Sequence, residues 1–297
     1  MAPRRDVYRG LVATPQQPPG GSGLAPFSRV VRVDRTGSTN ADLADALRAP
    51  SAAVRWPHLS VLVAEHQAAG RGRTGRVWET PRGSSLTDSV VVRTDVAPQR
   101  WSWLGLLGGL AVARAVNQRT GLSTAVKWPN DVVVVSAGAQ QEPGWGRDRK
   151  VAGLLAELVR VEDAPPVAVL GFGVNLHQLE TELPVPWATS LAAAGASDDA
   201  RDPDLLLGAV GRELAEVVGR WQAASGNAVS AGLADELART CATLGQDIRV
   251  TLPGGAEVSG RATALAADGG LLVRPAAGAA VHVTAGDVRH IRVAVTG

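Results

Sequence analysis

From Arg29 onward the chain alternates short apolar runs with polar breaks. Val30, Val31 and Val33 predict a strand that ends at the turn Thr36-Gly37-Ser38. A helix is predicted to follow, capped by Ser38 or Thr39, with Asp42 in capping-box register to Thr39. Residues 59–64 and 84–93 read as strands, separated by the loop EHQAAGRGRTGRVW. Residues 101–118 carry a helical pattern rich in Leu, Ala and Gly, which stops near Gly121. Two β-rich runs, 124–128 and 132–135, flank Pro129-Asn130-Asp131 and predict a hairpin-like pair. A Gly/Gln/Pro-rich stretch, 136–148, reads as a flexible loop. Further strands are expected over 151–161 and 167–176, and helices over 204–222 and 229–240.

After Gly245 the texture changes. Runs at 248–252, 258–266, 271–274, 281–284 and 288–293 are short and β-rich, split by the turns PGG, ADGG and AAG. Such strands predict a small barrel. At the other end, 15–23 reads PQQPPGGSG, a linker composition, so 1–28 is expected to be a flexible tail. The coarse picture is an N-terminal tail (1–28), an α/β catalytic domain (29–244) and a C-terminal β-barrel (245–297).

Composition narrows the function classes. With 297 residues the chain has room for one large and one small domain. No apolar run is long enough to span a bilayer, and no signal-peptide pattern follows MAPRR, so a soluble cytoplasmic protein without a membrane partner is expected. The lone Cys241 excludes an internal disulfide and a cysteine-based zinc site. Net charge is only +2, with no basic block, so no nucleic-acid partner is expected. Of 30 basic residues only Lys127 and Lys150 are lysines. In so arginine-biased a chain, a retained lysine can mark a place for a compact, strongly hydrated point charge; codon bias with two chance survivors is the alternative.

Five motifs carry candidate chemistry, and each has a plain structural reading beside it. Gly37-Ser38-Thr39-Asn40 sets hydroxyls at a helix start, where they cap the helix or bind a polar ligand. Gln67 to Trp78 holds three glycines that admit a ligand to the backbone, and the forked donors Arg71, Arg73 and Arg76. It is neither a Walker A loop nor a dinucleotide fingerprint, and a solvated basic loop is its bland alternative. A loop of this kind can be disordered when empty and fold over ligand. Lys127-Trp128-Pro129-Asn130-Asp131 places a phosphate-neutralising lysine and a carboxylate near a turn. Lys150-Val151-Ala152-Gly153 opens an apolar strand with a cation; an edge-strand lysine is the alternative. Gly171-Phe172-Gly173-Val174-Asn175 interrupts a strand with glycines, as a bulge also would.

In this order, GSTN, GRGRTGRVW, KWPND, KVAG and GFGVN, followed by a small β-rich tail, resemble the biotin–protein ligase family over residues 29 to 293. The resemblance implies an α+β fold: a mixed-sheet catalytic domain of the biotin/lipoate ligase type with a small C-terminal SH3-like β-barrel. It implies ATP and Mg²⁺ as cofactors and biotin as substrate. The partner it implies is a biotin carboxyl carrier domain of a biotin-dependent carboxylase, and a monomer or weak homodimer is expected. Biotin is then expected against Ser38, Thr39, Asn40, Gln67, Arg71, Gly72, Lys150 and Gly153. Nucleotide is expected at Arg73, Arg76, Trp78, Lys127, Asn130 and Asn175, and Mg²⁺ at Asp131. Lys150 would bridge carboxylate and phosphate, and Arg73 would retain the adenylate.

Three features depart from the family. The tail is too short for a winged-helix DNA-binding module, so no repressor function is expected. Thr87 and Asp88 replace apolar strand residues, so one of them should point inward. The loop after KWPND is longer than usual and receives no role. The rival readings are a lipoate or octanoate ligase of similar fold and a nucleic-acid-binding module built on the Arg/Gly loop. The cysteine-dependent transferase type is disfavoured because the lone Cys241 lies late in the chain, outside every motif.

Overall fold

The computed structural model describes residues 24–138 and 140–290. Seven strands form one mixed sheet. They are β1 (Arg29–Val33), β2 (Ser60–Ala64), β5 (Ser85–Val92), β6 (Thr124–Lys127), β7 (Asp131–Val134), β8 (Arg149–Val161) and β9 (Ala164–Asn175). Their order is β1-β2-β5-β9-β8-β7-β6. Only β1 and β2 run parallel; the other neighbours are antiparallel. Every residue of β2 and β5 is buried, because helices cover both faces of the sheet there.

Alternation along the strands assigns each face. Leu62, Val91, Val167 and Val169 pack with Leu43 and Leu47 of α1 (Thr39–Leu47). Their neighbours Val61, Val63, Leu86, Val90 and Leu170 pack in the main core with α3 (Leu104–Thr120) and α4 (Pro203–Ala223). A short α2 (Ala52–Arg55), unforeseen in the sequence, follows α1. The hairpin β3 (Gly70–Arg71) and β4 (Val77–Trp78) holds the Arg/Gly loop folded, not open.

Boundaries shift for identifiable reasons. Ser38 alone caps α1, accepting from the Ala41 amide, while the Asp42 carboxylate takes the Thr36 hydroxyl instead of closing a capping box. The helix expected over 229–240 shrinks to α5 (Leu233–Arg239). There the Asn227 side chain captures the Val229 and Ser230 amides, and Gly232 sits at φ 72, a left-handed value that ends any upstream helix. Residues 1–23 of the expected tail lie outside the described residues. The rest of it is anchored, since Leu24 is buried in the core and Phe27 packs beside Gly211.

The strands β10 (Asp247–Thr251), β11 (Glu257–Leu265), β12 (Leu271–Arg274), β13 (Val281–Val283) and β14 (Asp287–His290) form the second sheet, of SH3-like barrel type, in the order β13-β12-β11-β10-β14. It docks through tryptophan N–H groups: Trp128 Nε1 donates to the Gly269 carbonyl at 3.0 Å and Trp103 Nε1 to that of Ala267 at 2.9 Å. This contact places the start of β14 beside the KWPND turn. No helix among the described residues is long and apolar enough to cross a membrane.

Candidate active site

A cleft of about 820 Å³ runs over the α1 face of β8 and β9. Its floor is made of glycines in register. Gly153 pairs with Gly173, and Leu155 with Gly171. A side chain on Gly173 would meet the Trp78 indole at 2.5 Å, and one on Gly171 would meet Asn40 at 2.1 Å. The glycines therefore keep the floor low enough for rings to lie on it.

At one end stands the α1 N-terminus. A bridge between Thr36 and Gln67 brings the Gln67 side chain back over it. Gln67 Oε1 accepts from the Thr39 amide at 2.8 Å and from the Thr39 hydroxyl at 3.0 Å. That fixes the amide and leaves Nε2 beside Gly70. Asn40 is engaged by the protein instead. Its Nδ2 donates to the Leu155 carbonyl and to Glu157, and its Oδ1 accepts from Ser89. It ties α1 to the floor.

The centre of the cleft depends on a β-bulge. Val132 pairs with Ala152 but Val133 pairs with Lys150, so Val151 is the extra residue. Val151 and Ala152 both turn into the core, which leaves Lys150 on the cleft side with Gly153. Without the bulge, strand alternation would aim Lys150 at the core. Lys150 Nζ lies 2.7 Å from Asp131 Oδ1 and 5.3 Å from the centre of the Trp78 ring. Lys127 pairs in register with Asp131. It is 3% exposed, donates to the Val288 carbonyl at 2.7 Å, and has Trp145 4.1 Å from its Nζ. Burial lowers its pKa to about 8, opposed by Asp131 and assisted by Lys150.

Two flap arginines are held by carboxylates from different strands. Arg71 pairs with Glu157 of β8 at 3.3 Å, and Arg76 pairs with Asp287 of β14. Burial lowers the Arg73 pKa, while Asp287 and Asp131 act in the opposite sense. Gly72 donates to the Arg76 carbonyl at 2.7 Å and closes the loop.

Of the residues singled out in the sequence, Ser38, Thr39, Asn40, Gln67, Arg71, Gly72, Arg73, Arg76, Trp78, Lys127, Asn130, Asp131, Lys150, Gly153 and Asn175 all line this one cleft. Two of them turn their polar atoms inward. Asn175 Nδ2 donates to the Thr189 carbonyl and its Oδ1 accepts from Gln178. Asn130 Nδ2 donates to the Leu154 carbonyl at 2.8 Å. Both position the walls. Ser190 is fully buried and donates to the Gln178 carbonyl. Cys241 is buried outside the cleft, and burial pushes its thiol pKa up, which disfavours a nucleophile.

Thr87 and Asp88 resolve cleanly. The β5–β9 ladder is unbroken from Ser85 opposite Asn175 to Val92 opposite Ala168. Thr87 donates to the Ala64 carbonyl at 2.6 Å. Asp88 faces the opposite way, between Val63 and Phe172 in the core, with neither carboxylate oxygen hydrogen-bonded. Its pKa is raised well above the ordinary aspartate value by burial.

Sequence reasoning did not find Trp145, Trp187, Gln178, Asp287 or Arg289, which also line the cleft. None lies in a local motif. Asp287 reaches Arg76 across 211 positions of chain, a distance at which spacing carries no signal.

The family model described as "Biotin/lipoate A/B protein ligase family" matches residues 34–175, and "Biotin protein ligase C terminal domain" matches residues 243–290. The pair defines a ligase of the biotin/lipoate class. Curated relatives narrow it. The "Biotin--[acetyl-CoA-carboxylase] ligase" of Mycobacterium tuberculosis is 40% identical over 264 residues, 88% of each chain. That of Paracoccus denitrificans is 30% identical, covering 82% of this chain and 93% of its own. Among solved structures, a biotin protein ligase from Aquifex aeolicus in complex with biotin and ATP shares the fold with a TM-score of 0.68 at 23% identity, over 89% of this chain and all of that one. This chain belongs to the biotin protein ligase family.

Proposed function

We propose that this enzyme attaches biotin to a lysine of a biotin carboxyl carrier domain in two steps within the one cleft. First, a biotin carboxylate oxygen attacks the α-phosphorus of ATP. The bond to pyrophosphate breaks, leaving biotinyl-5′-AMP. Second, the neutral ε-amine of the carrier lysine attacks the acyl carbon. The acyl–oxygen bond breaks, AMP departs, and the amine proton goes to solvent. No enzyme nucleophile is needed, so catalysis consists of positioning and electrostatics.

The observation that carries this reading is the placement of Lys150. The bulge sets its ammonium at the middle of the cleft, against Asp131, between the Gln67 end and the Lys127 end. A cation there meets both a carboxylate arriving from one side and a phosphate from the other. We assign the ureido ring to the Ser38–Thr39–Gln67 end, where Gln67 Nε2 is free of the Thr39 contact that fixes its oxygen. The fused rings lie on the strand floor beside Arg71 and Gly72, next to the Trp78 indole that rests against Gly153 and Gly173. Arg73, Arg76 and Lys127 hold phosphates, and Trp78 covers the acyl-phosphate junction. Asn40, Asn130 and Asn175 act through the walls they fix.

Mg²⁺ belongs to the proposal. Among the described residues no group of three His, Cys, Asp or Glu side chains forms a metal site. Asp131 supplies one carboxylate, which suits an ion that arrives on ATP and takes its remaining oxygens from phosphate and water. When bound it neutralises phosphate charge. The carrier protein and a cytoplasmic location, where ATP is supplied, complete the reading.

The test is exchange of labelled pyrophosphate into ATP, run with biotin, octanoate and lipoate in parallel. Exchange that depends on biotin supports the assignment. Exchange driven by octanoate or lipoate instead transfers it to the lipoate branch of the same family.

A further inference from the structure

The segment between β7 and β8 takes no part in the proposed reaction steps, yet it delivers a large aromatic side chain to the cleft. Trp145 and Trp187 stand with their rings nearly parallel, 8° apart, at 6.1 Å between centroids. Both are half-buried and both line the cleft. Each thus shows apolar ring surface to the cleft, Trp145 directly beside Lys127. Trp187 is fixed there by the chain itself, its carbonyl accepting from the Lys150 amide at 2.7 Å.

The loop does not need the Trp145 ring to hold its shape. Gly138 donates to the Arg147 carbonyl at 2.8 Å, and Glu142 and Gly146 exchange two backbone hydrogen bonds at 2.7 and 2.8 Å. The buried Arg149 guanidinium binds the carbonyls of Gln140 and Gly146 from inside. The His290 amide donates to the Gly144 carbonyl at 3.1 Å and moors the loop to β14. The result is an arm tied by backbone and Arg149 hydrogen bonds that ends in an indole, with the Lys127 ammonium 4.1 Å from its centre. A ring set beside a phosphate-binding cation, parallel to a second ring, is suited to a flat π-system attached to phosphate.

We infer that Trp145 is a nucleotide-specificity residue: together with Trp187 it forms the aromatic surface on which the purine of ATP stacks. This rests on the ligase reading. It adds to that reading the residue that this chain's long β7–β8 loop contributes.

The experiment is biotin-dependent pyrophosphate exchange by the full chain, with ATP and biotin varied separately and CTP as the small-base control. Trp145→Ala is expected to raise KM for ATP about tenfold or more, the scale of one lost base–aromatic stack. It should leave kcat within about threefold and KM for biotin unchanged, the signature of lost uniform binding. Its preference for ATP over CTP should shrink, because the larger base loses more stacking. Trp145→Phe should recover most of the ATP affinity. If Trp145→Ala does not fold, Trp145→Leu carries the same test, filling the space without a π face. An unchanged KM for ATP, equal losses for ATP and CTP, or failure of Trp145→Phe to rescue would each overturn the inference while the ligase reading stands. Absence of biotin-dependent exchange in the wild type would remove both.

Discussion

Lys127 makes the most quantitative prediction. Its ammonium is almost wholly withdrawn from water, and burial brings its pKa to about 8. At pH 7 about nine-tenths of the free enzyme carries this charge, and at pH 9 about one-tenth does. If the charge holds an ATP phosphate, kcat/KM for ATP should fall above pH 8 with a slope approaching about tenfold per unit, because that ratio reports the free enzyme. At saturating ATP, kcat should persist to higher pH, since a bound phosphate favours the protonated amine. Lys127→Met should weaken ATP by about ten- to hundredfold, as expected for one charged hydrogen bond, and abolish the alkaline limb. Lys127→Arg should move the limb out of range, because a guanidinium does not titrate there.

The assay is pyrophosphate exchange from pH 6.5 to 9.5 with biotin saturating. Alkaline unfolding is a confounder, checked by melting at each pH, and the Lys127 term does not contribute to it. The folded pKa lies below the unfolded value of 10.5, so between about pH 8 and 10.5 the unfolded chain binds more protons. The Lys127 contribution therefore makes the protein more stable as pH rises through that window. Activity should decline while this term in stability improves. A wild-type profile flat from pH 7 to 9.5, or a Lys127→Met enzyme that retains the same limb, would refute the assignment.

Three further outcomes are expected. Lys150→Ala should slow adenylation by about two to three orders of magnitude, the cost of removing one donor to developing charge; pyrophosphate release at a near-wild-type rate would reject its role. Arg73→Gly should let biotinyl-AMP escape and label unrelated lysines added to the reaction; retention of the intermediate at the wild-type level would reject that assignment. Asp88→Val should stabilise the protein by about 1–3 kcal/mol at neutral pH, because a buried carboxyl without hydrogen bonds is replaced by an apolar group. With its folded pKa raised, Asp88 lowers stability as pH climbs from about 4, so the gain should shrink in acid; a lower melting temperature for the variant at pH 7.5 would refute this reading.

Much of this molecule is written locally. The apolar run that forms β2 is continuous because both sheet faces are covered there, and it was visible as a run; β5, β8 and β9 were visible as strands broken by polar residues or glycines. The KWPND hairpin and the glycines of KVAG and GFGVN were legible as interrupted strands. What they do was not legible without the family resemblance, since pairing Gly153 with Gly173 is a matter of register between strands. The bulge that turns Lys150 toward the cleft also leaves no local mark: Val151 and Ala152 are both plausible core residues. Asp287 and Trp145 were invisible for another reason. One arrives with the C-terminal sheet and the other on a loop whose composition signals only irregularity, and both matter through contacts that the whole fold creates.

The cleft is designed around charges that already have partners. Lys150 rests on Asp131, Arg71 on Glu157 and Arg76 on Asp287. Biotin and ATP bring only negative charge, so each must compete with a resident carboxylate for its cation. That competition weakens binding, but it keeps the cations aimed and charged before substrate arrives, so little reorganisation remains for the reaction itself. Glu157 comes from β8 and Asp287 from β14, so the two arginine pairs draw the flap onto the main sheet and onto the C-terminal barrel. Substrate that takes Arg76 from Asp287 releases a contact between flap and barrel. On the proposed reading, substrate that takes Lys150 from Asp131 frees that carboxylate for a magnesium ion arriving with ATP.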